Sequence, residues 1–360
     1  MKKLIMILLS LVMVLSLMTV AAVAETPEYH IIYFCQNLGD LSFNDLGWWG
    51  CQGAVEKYEG WTAEYIELGK DTSVYENAFL DAIDSGSYNL VVTQSNYGLS
   101  DLCMKYAPEY PEITFFAFDM STSADLSGID NMFGIAFKQN EGSFLVGALA
   151  GKITASNQIG AWVFNDVPVG NDFVTGFIAG VRHSNPDATV STAYGGGTAD
   201  ASKLQEVSSA MFDSGIDVIY GIQGSAYPGL ASEATDRGGF EKGVYCIGVD
   251  SDMWTVYKAS ENAGIADVIL TSMQKKVDES VIYTIDRLVA GELPFGVVEA
   301  YGIVENGVGM ADNEHYRENT PAEIQEYMDQ LQADVVSGAV EVPSYFDFAD
   351  YDAFVAWRDQ

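Results

Sequence analysis

Three aspartates stand where binding of a small molecule is readily arranged: Asp40 shortly after the apolar run His30 to Cys35, Asp119 directly after Ile113 to Phe118, and Asp250 directly after Gly243 to Val249. A carboxylate accepts hydrogen bonds in pairs, which suits neighbouring hydroxyls of a sugar or the N–H groups of a base. Each aspartate alone also suits a turn or a helix N-cap. Their joint occurrence at three strand ends favours a site. Signatures of catalysis are missing, since the sequence contains no G-x-S-x-G, no G-x-x-x-x-G-K-[ST] and no H-E-x-x-H. The three histidines are scattered, and the irregular spacing of Asp312-Asn313-Glu314-His315 fits a solvated turn better than a metal site. Gly195-Gly196-Gly197 lacks the G-x-G-x-x-G spacing of a phosphate cradle and reads as a turn. A glycoside hydrolase needs a carboxylate pair at a defined separation, and with 51 acidic residues no pairing can be read from sequence.

The elements that would carry these aspartates follow from hydrophobic periodicity. Short apolar runs alternate with amphipathic stretches, the pattern of βα units around parallel sheets. His30 to Cys35, Leu90 to Thr93, Ile113 to Phe118 and Asn131 to Phe137 read as strands of a first lobe, with a helix through Leu46, Trp49, Gly50, Gly53 and Ala54 whose glycines permit close packing on a sheet. A helix from Asn140 to Lys152 then carries the chain out of that lobe, and the pattern restarts. Gln158 to Phe164, Ala188 to Ala193, Asp217 to Gly221 and Gly243 to Val249 read as a second set of strands, separated by helices such as Asp172 to His183 and Lys203 to Phe212. Ile265 to Leu270 and Phe295 to Val304 read as further strands around a helix from Gln274 to Ala290. Thr320-Pro321-Ala322-Glu323 has the form of a capping box with Pro at N1, and Gly338 is a stop. In open parallel sheets ligands sit beyond the carboxyl ends of the strands. Asp40 and Asp119 would belong to one lobe and Asp250 to the other, so a ligand between the lobes would be clamped.

Composition agrees with two α/β lobes. A chain of 360 residues matches about two domains of ~150 residues each, and 48% hydrophobic residues supply cores for both. With 17 Lys+Arg against 51 Asp+Glu the net charge is −34, and such a surface repels polyphosphates, which argues against a nucleic-acid partner. Lys2 and Lys3 precede the apolar run Leu4 to Val20, and Ala22-Val23-Ala24 forms an A-x-A site, so residues 1–24 read as a secretory signal peptide cleaved before Glu25. No later stretch is apolar enough to span a bilayer, and the mature protein is expected outside the cytoplasm. No lipobox cysteine follows the apolar run. Cys35, Cys51, Cys103 and Cys246 lack C-x-x-C spacing and are expected as buried free thiols.

Gly39-Asp40-Leu41-Ser42-Phe43-Asn44 followed by Trp49-Gly50 resembles the opening motif of the basic membrane protein family, purine-nucleoside-type solute-binding proteins of bacterial ABC importers. The resemblance continues through Phe118-Asp119, Gly142-Ser143-Phe144-Leu145-Val146-Gly147, Val174-Thr175-Gly176-Phe177-Ile178-Ala179-Gly180 and Asn185-Pro186. It extends to Gly248-Val249-Asp250-Ser251-Asp252 and Leu270-Thr271-Ser272-Met273-Gln274-Lys275, thus from about Ile31 to about Val289. It implies a type I periplasmic-binding-protein fold, two doubly wound parallel-sheet lobes joined by a hinge, enclosing a small-molecule ligand and serving an ABC transporter permease without a cofactor. The expected division is 25–153 for the first lobe, 154–270 for the second, and 271–360 as a segment returning to the first lobe with a C-terminal helical extension.

Carried over position by position, the resemblance makes Phe43 the ring that stacks on a base, lets Asp40, Asn44 and Asp119 address that base, and gives Asp250 and Lys275 the ribose hydroxyls, with Lys275 the counter-charge of Asp250. Gly224 is counted among the ligand-binding residues. One departure stands out. Where the family places a second aromatic in a Tyr-x-Gly-Ser-Phe-x-Asp stretch, this chain reads Tyr194-Gly195-Gly196-Gly197-Thr198-Ala199-Asp200. Thr198 cannot stack, so the second wall falls to Trp162, Phe164 or Tyr227. Sugar binding and a sensory receptor-associated role use the same cleft, and hydrolysis of a glycoside or nucleoside is the enzymatic alternative.

Overall fold

A computed structural model describes residues 27–197 and 200–360. The signal-peptide expectation for 1–24 and the departure at Thr198 lie outside the described residues. Chain order in the first lobe is β1 (His30–Cys35), α1 (Phe43–Lys57), β2 (Thr62–Glu67), α2 (Tyr75–Asp84), β3 (Leu90–Gln94), α3 (Leu99–Tyr106), β4 (Thr114–Phe118) and β5 (Met132–Phe137). There follow α4 (Gln139–Ile153), β6 (Gln158–Val163), α5 (Pro168–Ser184), β7 (Thr189–Tyr194), α6 (Ala201–Asp213), β8 (Val218–Ile222), α7 (Tyr227–Asp236), β9 (Tyr245–Asp250), α8 (Met253–Lys258) and β10 (Ile269–Lys275). The chain ends with α9 (Val277–Ala290), β11 (Val297–Tyr301), β12 (Val308–Met310), α10 (Glu314–Asn319), α11 (Ala322–Val336) and α12 (Tyr351–Arg358).

Two six-stranded sheets result, ordered β11-β5-β4-β3-β1-β2 and β12-β10-β9-β8-β6-β7. All pairings are parallel except β10 with β12. Helices cover both faces, so the inner strands are buried over all but their end residues, which is why they appear as unbroken apolar runs; β3 and β5 have no exposed residue. In each sheet the winding reverses between the first strand and the third, β1/β3 and β6/β8, and a crevice opens there beyond the carboxyl ends. Cys35, Cys51, Cys103 and Cys246 are buried free thiols.

The lobes are divided differently from the sequence expectation. α4 belongs to the second lobe, because its glycines let it approach α5 at near contact: a Cβ on Gly147 would lie 2.2 Å from the Phe177 carbonyl oxygen, and one on Gly176 would lie 2.0 Å from that of Asn140. The first crossing is therefore at Lys138. β10 pairs with β9 and runs through the expected boundary after residue 270 before the chain recrosses at Lys276. α9 then packs on α1, where a Cβ on Gly50 would lie 2.7 Å from Val281 Cβ, so Gly50 serves a helix pair and not the sheet. β11 completes the first sheet, and the chain crosses a third time through 302–307 to place β12 in the second. Backbone bonds join the crossings, from Lys138 N to Tyr301 O and from Lys276 N to Gly307 O. The tail stays on the second lobe, with Arg182 donating to the carbonyls of Trp357 and Arg358.

Local corrections have local causes. Residues Ala263–Val268 form a 3-10 segment, so the strand expected from Ile265 begins only at Ile269. Gln274 and Lys275 end β10 and do not open α9. No capping box forms at α11, whose N-cap is Pro321; Thr320 Oγ1 has no partner, and the Gln325 amide donates to the Thr320 carbonyl in its place. β2 escaped the sequence reading because it is an edge strand with four of its six residues exposed.

Candidate ligand-binding site

The two switch-point crevices face each other, and a cavity of about 550 Å³ lies between them. Its lining comes from the loops after β1, β2, β3, β4, β6, β7, β8 and β9 and from the end of β10, and its size is that of a small-molecule pocket. Asp40, Phe43, Asn44, Asp119, Gly224, Asp250 and Lys275 all line it.

The loop Gly39–Asp45 is fixed by its own carboxylates. Asp45 accepts from the amides of Gly39 and Leu41. Asp40, 6% exposed, accepts from the amides of Ser42 and Asp45 through Oδ1, and from the Asn44 amide and Asn44 Nδ2 through Oδ2. With two donors on each oxygen, Asp40 fastens the start of α1 at the wall of the cavity. Burial raises its pKa, against those hydrogen bonds. Phe43 opens α1 with its ring edge-on to Phe118 at 5.5 Å.

At the strand ends Asp119 and Asp250 occupy the left-handed region, with φ of 61° and 65°, a conformation a non-glycine residue holds at some cost. Lys275, 2% exposed, projects from β10 and bonds Asp119 Oδ1 at 2.7 Å. The counter-charge of Lys275 is thus Asp119 across the cleft and not Asp250, because the end of β10 points its side chain toward the other lobe. Aromatic rings of Phe173, Phe137 and Phe43 surround the ammonium at 4.9, 5.4 and 5.5 Å, a cation–π arrangement that supports a buried charge. Asp250 Oδ2 accepts from Ser42 Oγ at 3.1 Å. Burial is the main cause that pushes the Asp250 carboxyl up to about 6, opposed by Lys275 and Ser42 and reinforced by Asp119 and Asp40.

These contacts join the lobes directly. Ser251 Oγ donates to the Leu41 carbonyl at 2.7 Å, and Gly224 abuts Ser42 so closely that a Cβ would lie 2.5 Å from Ser42 Cβ. Of the three residues considered for the second aromatic wall, only Phe164 lines the cleft; Trp162 and Tyr227 are core. Sequence reasoning missed Tyr97 and Phe173, and the amides of Asn37, Asn96 and Asn165. Their signal was position alone, since each Asn lies in a loop following a strand at a switch point. His315 lies between the rings of Trp254 and Phe240, and Asp312 pairs with Arg317. Among the described residues no group of three His, Cys, Asp or Glu side chains could hold a metal.

Two α/β lobes, three crossings and a cleft at paired switch points make up a type I periplasmic-binding-protein fold. Residues 32–344 match the family model for Bmp, "ABC transporter substrate-binding protein PnrA-like". The chain belongs to this family. It is 30% identical over 330 residues to the CD4+ T-cell-stimulating antigen of Listeria monocytogenes, covering 90% of this chain and 88% of that protein. It is 28% identical over 324 residues to the ABC transporter nucleoside-binding protein BmpA of Lactococcus lactis, covering 87% and 88%. A solved ABC transporter solute-binding protein from Aeropyrum pernix shares the fold, with a TM-score of 0.76 at 22% identity, covering 92% of this chain and 96% of that one.

Proposed function

We propose that the protein captures a nucleoside between its lobes and delivers it, outside the cytoplasm, to an ABC permease. The observation that carries this reading is the juxtaposition, in one cavity, of aromatic side chains from both lobes (Phe43, Phe164, Phe173) with a carboxylate–ammonium–carboxylate centre (Asp119, Lys275, Asp250). A flat base suits the first and a ribose diol suits the second. The name of the Lactococcus relative supports the same ligand class. Binding without chemistry fits the carboxylates: Asp40 is saturated and Asp119 is paired, which leaves no free acid and base flanking one point. The signal-peptide pattern of residues 1–24 supports the location, and no helix among the described residues is long and apolar enough to cross a membrane.

Titration calorimetry with inosine, adenosine, uridine, ribose and glucose tests the reading. Nucleosides should bind, and Phe43→Ala should weaken them by about 1 to 3 kcal/mol, the value of one base–aromatic stack, while ribose changes little. Tight binding of free sugars with no gain from a base would overturn it.

A further inference from the structure

Among the described residues six non-glycine residues have positive φ, and four of them, Leu41, Tyr97, Asp119 and Asp250, lie at or just beyond the carboxyl ends of strands beside the cleft. Three of the four have a visible task there: Leu41 accepts from Ser251, Asp119 holds Lys275, and Asp250 receives Ser42. Among the described residues Tyr97 makes no hydrogen bond and no ring contact, and its side chain lies within electrostatic reach of Tyr75. It stands at φ 58°, ψ 25° in the turn after β3, followed by Gly98 also in the left-handed region. Its side chain is 56% exposed, stacks on no ring among the described aromatic pairs, and lines the cavity. A bulky aromatic is the wrong residue for that backbone and that exposure unless the ring is wanted where it is, since Asn or Gly would adopt the turn at lower cost. The turn lies at the β1/β3 switch point, beside the loop that carries Phe43. Phe43 is half-buried against Phe118 at the inner end, whereas Tyr97 stands at the mouth.

We propose that Tyr97 is the outer aromatic wall of the site, closing over the flat apolar part of the ligand and supplying cover that the glycine-rich turn Gly195–Gly197 lacks. This rests on the nucleoside reading. The ring contributes only when ligand is bound, so its removal should act on dissociation more than on association.

Tyr97→Asn keeps a residue that tolerates the left-handed turn, and Tyr97→Phe keeps the ring. Stopped-flow and calorimetric titration of both variants with inosine and with ribose provide the test, with thermal melting of the ligand-free proteins alongside. The expected result is that Tyr97→Asn melts no lower than wild type, loses about 5- to 150-fold in inosine affinity, the range of one base–aromatic stack, and does so through a faster off-rate with ribose unaffected. Tyr97→Phe should stay within threefold. Inosine affinity of Tyr97→Asn within twofold of wild type overturns the proposal, as does an equal loss for ribose. If wild type binds no nucleoside at all, the functional reading fails and this proposal falls with it, whereas nucleoside binding that survives Tyr97→Asn unchanged removes this proposal alone.

Discussion

Asp250 illustrates how a single side chain ties binding to protonation. Its carboxyl sits at about 6 in the folded protein because burial penalises the charged form more than Lys275 and Ser42 reward it. An exposed aspartate titrates near 3.9, so between those values the folded state holds more protons than the unfolded one. Stability is therefore greatest, as far as this group is concerned, below about pH 4, and falls as pH rises through 6, by roughly 3 kcal/mol for about two pH units. Asp40 and Asp172 are raised by burial too and act in the same direction, but they cancel when Asp250→Asn is compared with wild type. Denaturant midpoints measured between pH 4.5 and 7.5 should show the variant gaining on wild type as pH rises, with the difference levelling off above about 6.5. A difference independent of pH would mean that Asp250 is not buried as described. The position of Asp250 at a strand end was legible in the sequence because an apolar run ends abruptly in an acid. The partner of Lys275 was not, because which of two acids an ammonium reaches depends on the angle at which β10 presents it across the cleft.

At the scale of elements, the pair α4 and α5 is held by glycines that face each other's backbone. A Cβ on Gly180 would lie 2.0 Å from the Phe144 carbonyl oxygen, and backbone cannot swing aside as a side-chain end can. Gly180→Ala should therefore force the helices apart and destabilise the protein by about 1 to 3 kcal/mol or more, read as a lower urea midpoint with unchanged slope. Gly264→Ala, with nothing within 4 Å of the added methyl, serves as the control that should hold its midpoint. The strands were readable wherever an apolar run survives, the edges β7 and β11 included, and unreadable at β2, where Glu64 and Glu67 interrupt the run. The lobe that α4 joins was misplaced for another reason. Periodicity identifies a helix, but it does not say which of two similar lobes the apolar stripe will cover, and here the small residues of α4 find their complement in α5, β10 and β12 of the second lobe.

For the whole molecule, the cleft floor acts as the seat on which one lobe meets the other. The three nearest neighbours of a Cβ on Gly224 are all first-lobe atoms, from Ser42 and Asp40, so a larger side chain there is a wedge between lobes. Gly224→Val should reduce nucleoside affinity by about tenfold or more, because the contacts of Phe43 and of Asp250 can no longer be made together. Its radius of gyration by small-angle scattering should stay at the ligand-free value when ligand is saturating, while its melting without ligand stays within a few degrees of wild type. Wild-type compaction with undiminished affinity in the variant would show that the lobes meet elsewhere. The two-lobed architecture itself was evident from the repeated alternation of apolar and amphipathic stretches. The contact at Gly224 was not, since a glycine that admits a neighbouring lobe looks in sequence like any turn glycine.

The three crossings also set an order of events during synthesis. β11 finishes the first sheet and β12 the second, yet both lie between Val297 and Met310, after every other strand has been made. A growing chain can wind most of either sheet early, but β5 and β10 keep unpaired edges until those last strands emerge. Edges of that kind invite wrong pairing and slow the final step. The two sheets consequently reach completion together and late, and a chain stopped before Val297 holds two unfinished sheets joined by two of the three crossings.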